Sequence, residues 1–314
     1  MFNFQNAPYI VSDSCAAIVK TAYPYVCKTI DAAPLMIIGC GRSGNTLLRA
    51  MLMAGDDIAI PPESYVWGSV AKHFLLWRFL PWTQVCDKVI HKFVDYPEFS
   101  TWGLDATALY KRAYDIPEEQ RCLYSIIEVI YKAYAQTIDC NIGRWGDKTP
   151  LNTLYLHHIN HIVPNSKYVH LVRDPRAVAQ SYVKAAQTNA QIQEKTITDA
   201  AQRWQASEKS VAAFRAQIKP EQYMQIKFED LILETESTLR RTCDFLSLDY
   251  SDTMVSRAQA QALGDVEKHQ HHAMTMKNID PSKIDQWKTS LSEKQVALIE
   301  EMTKEYACAY GYFK

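Results

Sequence analysis

A chain of 314 residues, 47% apolar and 22% charged, is long enough to bury a large core, and its formal charge of -1 sets up no overall field that would select nucleic acid or an anionic membrane surface. Its eight cysteines include no Cys-x-x-Cys pair, which argues against a zinc ribbon and a small disulfide scaffold and for mostly buried thiols in a reducing cytosol. The first residues, "MFNFQNAPYIVSDSC", have no basic segment followed by an apolar one, and no apolar run reaches the length of a membrane span, so the expectation is a cytoplasmic protein with neither leader nor anchor.

"PLMIIG", residues 34–39, is a short apolar run that stops at glycine and reads as a buried strand. "CGRSGNTLLRAML" follows, with the spacing of a phosphate loop leading into a helix. Gly39 and Gly44 bracket four residues, and Thr46 stands where a nucleotide-triphosphate loop has its Ser or Thr. The lysine of such a loop is missing, because Asn45 occupies its position and the basic residue comes earlier, at Arg42. Residues 65–138 read as a long helical region rich in aromatics, among them Trp67, Phe74, Trp77, Trp82, Trp102, Tyr110, Tyr124, Tyr131 and Tyr134. Core packing is the default for each of them, and a long insertion can also form a lid over an acceptor. Its most apolar stretch, "HFLLWRFLPW" (73–82), reads as a core helix or a pocket wall.

"KYVHLV" (167–172) reads as a second buried strand, ended by Arg173, with Pro175 at a natural first helical position. "QYMQIKFED" (222–230) reads as a third strand, and the run after it has helical periodicity. Strands alternating with helices predict a parallel sheet covered by helices. Residues 254–284 read as a polar loop whose His269, His271 and His272 are solvated rather than metal-bound. Ser290, three residues before Glu293, reads as the capping box of the last helix.

A strand, a glycine turn and a helix N-terminus together point unpaired N–H groups at one place, where an anion belongs. Gly44 permits close approach, while Arg42, Ser43 and Thr46 add side-chain donors. Without a lysine at Asn45, and without a strand ending in a magnesium-holding aspartate, the loop is unsuited to ATP or GTP. Arg173, at a strand's carboxyl end, points to a second anion neutralised without metal, with Ser181 one and a half helical turns further on. Asp174 and Arg176 beside it read as a capping and surface pair.

With these residues in place, "RSGNTLLRAML" resembles the 5′-phosphosulfate loop of sulfotransferases that use 3′-phosphoadenosine 5′-phosphosulfate (PAPS), and "VHLVRDPRAVAQSYVK" resembles their 3′-phosphate segment. "GDKTP" (146–150) and "SKIDQWKTSLSE" (282–293) also look like family segments, so the resemblance covers roughly 34–60, 144–186 and 222–295. It is nearest the branch that holds tyrosylprotein sulfotransferases and many bacterial enzymes. The resemblance implies one P-loop-type domain over 1–314, a three-layer α/β/α fold with a central parallel sheet and the helical insertion at 65–138.

It also implies that Arg42, Ser43, Gly44, Asn45, Thr46, Leu47, Arg173 and Ser181 bind PAPS, with Lys277 and Asn278 closing over it and no metal required. Arg42 and Lys148, the latter at the end of a strand expected in "RWGDKTP", then stabilise the leaving phosphate oxygen, and Glu63, in "IAIPPESYVW", is the general base. Phe228 departs from the pattern, standing where the family often has tyrosine. The expected reaction is sulfonate transfer to a hydroxyl or amine of a small-molecule acceptor, by a monomer or homodimer with no nucleic-acid or membrane partner. The alternatives are a glycan, lipid or peptide-tyrosine acceptor. From another class come a P-loop nucleotide kinase, which ATP turnover would reveal, and a non-catalytic nucleotide-binding module, which would not need to keep Glu63, Arg42 and Lys148 together.

Overall fold

A computed structural model describes residues 22–31, 33–138, 140, 144–187, 189–190, 192–256 and 281–314. Four strands, β1 (Leu35–Ile38), β2 (Gly146–Lys148), β3 (Lys167–Val172) and β4 (Tyr223–Lys227), form one parallel sheet in the order β2-β1-β3-β4. All four residues of β1 and five of the six in β3 are buried, the uninterrupted apolar pattern of strands covered on both faces. β2 has no such composition. It pairs through the register Leu35↔Gly146 to Ile37↔Lys148, and a parallel bridge from Ala59 to Trp145 extends that edge.

This strand order arranges the chemistry. β1 lies between β2 and β3, and all three run the same way. Lys148 at the end of β2 and Arg173 just past the end of β3 therefore flank the loop that leaves β1 at Gly39. That is the crevice at the carboxyl ends of the strands where parallel sheets hold ligands.

The loop runs into α1 (Asn45–Met53). The region 65–138 is helical, as its periodicity predicts: α2 (Trp67–Trp77), α3 (Trp82–Val94), α4 (Ala106–Tyr114) and α5 (Leu123–Thr137), with 3-10 turns between. Its aromatics are mostly core. Trp67, Phe74, Trp82, Trp102, Tyr124, Tyr131 and Tyr134 are buried, and Trp77 and Tyr110 are half-buried. Polar ends find partners, as buried aromatics require: Trp67 Nε1 donates to Tyr131 Oη at 2.7 Å and Trp82 Nε1 to Ala113 O at 2.9 Å.

α6 (Leu156–Ile162) leads to β3, and α7 (Pro175–Ala186) and α8 (Ile197–Arg215) separate β3 from β4. α9 (Phe228–Leu233), α10 (Thr235–Leu246) and the short α11 (Thr253–Ser256) follow β4. α12 (Ser282–Asp285), α13 (Trp287–Ser290) and α14 (Glu293–Ala309) complete the described chain, with α14 packed along α7 and α8. Those three helices enclose a small core with Cys40, Val172, Trp204 and Ile299, while a larger core gathers the insertion, α1 and most of the sheet.

Three expectations are corrected. The stretch 73–82 is not wholly core: Phe74 faces inward, but Leu75 and Leu76 are exposed, Leu76 by 73%, because α2 turns only one stripe inward, and Phe79 is exposed in the turn beyond its end. The last helix is capped by Ser292 with Gln295, not by Ser290 with Glu293, since α13 runs through Ser290 and leaves Ser292 extended, as a cap must be. The run 254–284 is not all loop, as α11 and α12 occupy its ends. Its His269, His271, His272, Lys277 and Asn278 lie outside the described residues. Of the seven described cysteines, Cys27, Cys40, Cys86, Cys122 and Cys243 are buried, and Cys140 and Cys308 are part-exposed.

Candidate active site

The loop after β1 is shaped by its backbone. Gly39, Arg42 and Gly44 have φ of 133°, 66° and 96°, a left-handed sequence that turns the chain sharply into α1. Glycine is required at 44 for a second reason, because a Cβ there would lie 2.4 Å from the Phe228 ring. Asn45, in place of lysine, ties the loop: its Nδ2 donates to Cys40 O at 2.9 Å. Thr153 holds the loop's start, accepting from Gly39 N at 2.9 Å and donating to Gly39 O at 3.1 Å. Ser43 Oγ is buried without a protein partner. Leu47 packs into the core, so only its backbone N–H faces this turn of helix.

β2 carries the second component. Lys148 is fully buried, and its Nζ donates to Glu63 Oε1 at 2.5 Å and to Thr46 Oγ1 at 3.2 Å. One ammonium thus joins the loop helix, the strand end and the segment after residue 60. Glu63 is 16% exposed, and its Oε2 accepts from the Tyr65 hydroxyl. The neighbouring Asp147 fixes this geometry. Its buried carboxylate accepts from Tyr131 Oη at 2.6 Å, Asn152 Nδ2 at 2.8 Å and Thr149 Oγ1 at 3.3 Å. Burial pushes Asp147 above the usual aspartate range, and those donors oppose the push. Thr149 also accepts from Ser64 N at 3.1 Å, which pins the backbone beside Glu63.

Arg42 and Arg173 form the third component. Arg42 Nε donates to Ser181 Oγ at 3.2 Å, and Arg173 Nη1 donates to Arg42 O at 3.0 Å. Ser181 is therefore brought to Arg42 directly and to Arg173 only through Arg42. Arg173 Nη2 donates to Lys283 O at 3.1 Å, its guanidinium lies 4.3 Å from the Phe228 ring centroid, and its Nε is buried without a partner. Burial pushes Arg173 down to about 10, still cationic at neutral pH, and lowers Arg42 as well. Phe228 serves as a wall under Arg173 and against Gly44, a use that needs a ring and no hydroxyl. Asp174 caps α7, accepting from Arg176 N at 2.8 Å, and Arg176 pairs with Asp174 and Glu300 over the Trp287 ring. Asp174 caps the helix as its sequence reads, but the two do not form a surface pair, since Asp174 is buried and Arg176 lies against the Trp287 and Phe313 rings.

The turn after β3 has supports the sequence did not announce. Trp204 Nε1 donates to Arg173 O at 3.1 Å, Asp174 N donates to Glu229 Oε1 at 3.1 Å, and Tyr312 Oη donates to Glu229 Oε2 at 2.7 Å. Tyr65 was missed as well, although its place two residues after Glu63 was a signal. Among the described residues no cluster of three or more His, Cys, Asp or Glu side chains is gathered for a metal.

A Caenorhabditis briggsae protein named as a candidate protein-tyrosine sulfotransferase is 25% identical over 284 residues, covering 88% of each chain. The omega-hydroxy-beta-dihydromenaquinone-9 sulfotransferase Stf3 of Mycobacterium bovis is 24% identical, covering 91% of this chain and 77% of its own. Among solved structures, the sulfotransferase domain from the curacin biosynthetic pathway superposes with a TM-score of 0.57 at 23% identity, covering 86% of this chain and 96% of that domain. That likeness concerns the fold. The model of the sulfotransferase family matches residues 34–252, more than half of the chain, and takes in the loop, Glu63, Lys148 and Arg173. This protein belongs to the sulfotransferase family.

Proposed function

We propose that this chain transfers a sulfonate group from PAPS to a hydroxyl or amine of a small-molecule acceptor. The observation that carries the reading is the ammonium of Lys148 shared between Glu63 Oε1 (2.5 Å) and Thr46 Oγ1 (3.2 Å), which sets a base, a cation and the loop helix within one hydrogen-bonded group. The donor set suits a doubly phosphorylated nucleotide. The buried Ser43 hydroxyl and Arg173 Nε lack protein partners, and both are donors of the kind phosphate oxygens accept. Arg42, Ser43, Thr46 and the backbone of 44–47 would hold the 5′-phosphosulfate, and Arg173 with Ser181 the 3′-phosphate. PAPS supplies the activated sulfonate and a phosphate leaving group.

The residues divide the remaining work. Lys148 and Arg42 place positive charge where the leaving oxygen becomes negative. Glu63 takes the acceptor's proton, and Lys148 and Tyr65 hold its carboxylate in one orientation. Asn45 keeps the loop closed through Cys40 O, a task that leaves its position without the charge a triphosphate needs. The single-domain organisation, with 65–138 as an acceptor lid, belongs to the same proposal. A second acceptor class, the tyrosine of a peptide, is favoured by the names of the worm relative and of the Drosophila melanogaster protein-tyrosine sulfotransferase, 24% identical over 71% of this chain and 40% of its own.

The test is transfer from sulfur-labelled PAPS to a panel of small hydroxyl compounds, amines and a tyrosine peptide. Label appearing on a panel member with wild type and lost with Glu63→Gln is the expected outcome. Transfer by Glu63→Gln at the wild-type rate would remove Glu63 as the base.

A further inference from the structure

Three of the six exposed large apolar side chains among the described residues fall within five residues. They are Leu75 (54%), Leu76 (73%) and Phe79 (48%), at the end of α2 and in the turn beyond it. Core packing accounts for Phe74 in the same turn of helix, and for none of these three. An exposed leucine standing alone, as Leu233 does on α9, needs no explanation, whereas a contiguous apolar group marks a surface that something covers.

The charge around the group points to what covers it. From Ser64 to Cys86 the chain carries Lys72, His73 and Arg78 and no acidic residue. Lys72 is exposed and stands four residues before Leu76, so the two share one face of α2. Lys88, exposed on α3, has its ammonium 5.9 Å from the ring centroid of the half-buried Trp77, and the His73 ring stacks on that indole at 5.2 Å. Asp87, the acid nearest to Phe79 in sequence, is engaged by the Tyr114 hydroxyl.

Protruding apolar side chains among cations, with an indole beside them, are the composition of a helix lying in a membrane interface. The apolar tips enter between acyl chains and the cations meet anionic head groups. The formal charge of -1 gives the chain as a whole no such preference, because the cationic excess is local. No described helix is long and apolar enough to cross a membrane, so the contact is peripheral. A second copy of the chain is a poorer occupant, since a two-fold contact here would set the cations of one copy against those of the other.

We propose that the end of α2 docks this protein on an anionic lipid surface, with Leu75, Leu76 and Phe79 inserted and Lys72 and Lys88 at the head groups. The patch is at the opposite end of α2 from Glu63, so substitutions in it leave the candidate active site intact. The inference does not depend on the transfer reaction.

The experiment is co-sedimentation of the full chain with vesicles of phosphatidylcholine alone and of equal parts phosphatidylcholine and phosphatidylglycerol, at low and high salt. The expected result is binding to the anionic vesicles only, weakened by salt. Leu75→Ser combined with Leu76→Ser weakens it about tenfold or more, as two leucines lose their apolar surface. Lys72→Gln weakens it about fivefold, the worth of one cation near an anionic surface. Leu233→Ser, which removes an exposed leucine elsewhere, leaves it unchanged. Circular dichroism confirms the fold of each variant, and if the double variant misfolds, Leu76→Ser alone decides. No binding to anionic vesicles, equal binding to both compositions, undiminished binding by the leucine variants, or a like loss in Leu233→Ser would overturn the inference. So would a dimer, formed without lipid, that Leu76→Ser dissociates in sedimentation velocity, because a second copy would then be the occupant.

Discussion

At the scale of single residues, the chemistry rests on a few contacts with separable consequences. Glu63→Gln keeps the size of the side chain and removes its basicity, and it should lower kcat by about 10²–10⁴-fold, the usual contribution of a general base, while leaving nucleotide affinity nearly unchanged. Lys148→Met should cost about 10²-fold in kcat. Because Lys148 Nζ and Glu63 Oε1 are hydrogen-bonded, the double variant should lose much less than the two losses combined, and strictly multiplicative losses would show that the pair does not act as a unit. The cysteines give an independent check on the core. Burial pushes Cys40 up to about 12, so it holds almost no thiolate at pH 8, whereas Cys140 and Cys308 are part-exposed. Iodoacetamide should label Cys140 and Cys308 of the folded protein and spare Cys40, as peptide mapping can show.

Among elements, the site is made by the ends of three strands and the start of one helix. The loop before α1 cannot widen. A Cβ at Gly44 would meet the Phe228 ring at 2.4 Å and force an L-residue to φ 96°, so Gly44→Ala should destabilise the protein by about 1–3 kcal/mol and weaken nucleotide binding in parallel. Denaturant melts and titrations of one preparation check both. The turn after β3 is braced from the far end of the chain, because Glu229 receives the Asp174 N–H and the Tyr312 hydroxyl. Tyr312→Phe leaves a half-buried carboxylate oxygen without its donor, at a cost of about 1 kcal/mol. Weaker bisphosphate binding should accompany that loss, since Arg173 begins this turn. Unchanged stability and affinity would show that the brace does not matter.

Across the whole molecule, the legible features were the ones encoded locally. β1 and β3 are continuous apolar runs, the loop announces itself by glycine spacing, Pro175 marks the start of α7, and the helical periodicity of 65–138 matches four observed helices. β2, the strand expected to end at Lys148, is legible from its motif rather than from its composition, because Gly146-Asp147-Lys148 is not an apolar run and is held as a strand by pairing with β1. The Lys148–Glu63 pair spans 85 residues and the Arg42–Ser181 contact 139, and no local pattern encodes either. They follow from strand order, which sets β2 and β3 on the two sides of β1. The caps were legible in kind and misplaced by two residues, since the choice between Ser290 and Ser292 depends on where α13 stops.

The central claim is that the loop and Arg173 together hold a nucleotide with two separate phosphates and need no metal. Calorimetric titration with 3′,5′-adenosine bisphosphate in the presence of a chelator, beside ATP with magnesium, tests it most directly. The account predicts micromolar binding of the bisphosphate, weaker binding of ATP, and a loss of about tenfold or more for the bisphosphate in Arg173→Ala, where charge-assisted hydrogen bonds to a phosphate disappear. Tighter binding of magnesium-ATP, or bisphosphate affinity unaffected by Arg173→Ala, would contradict it.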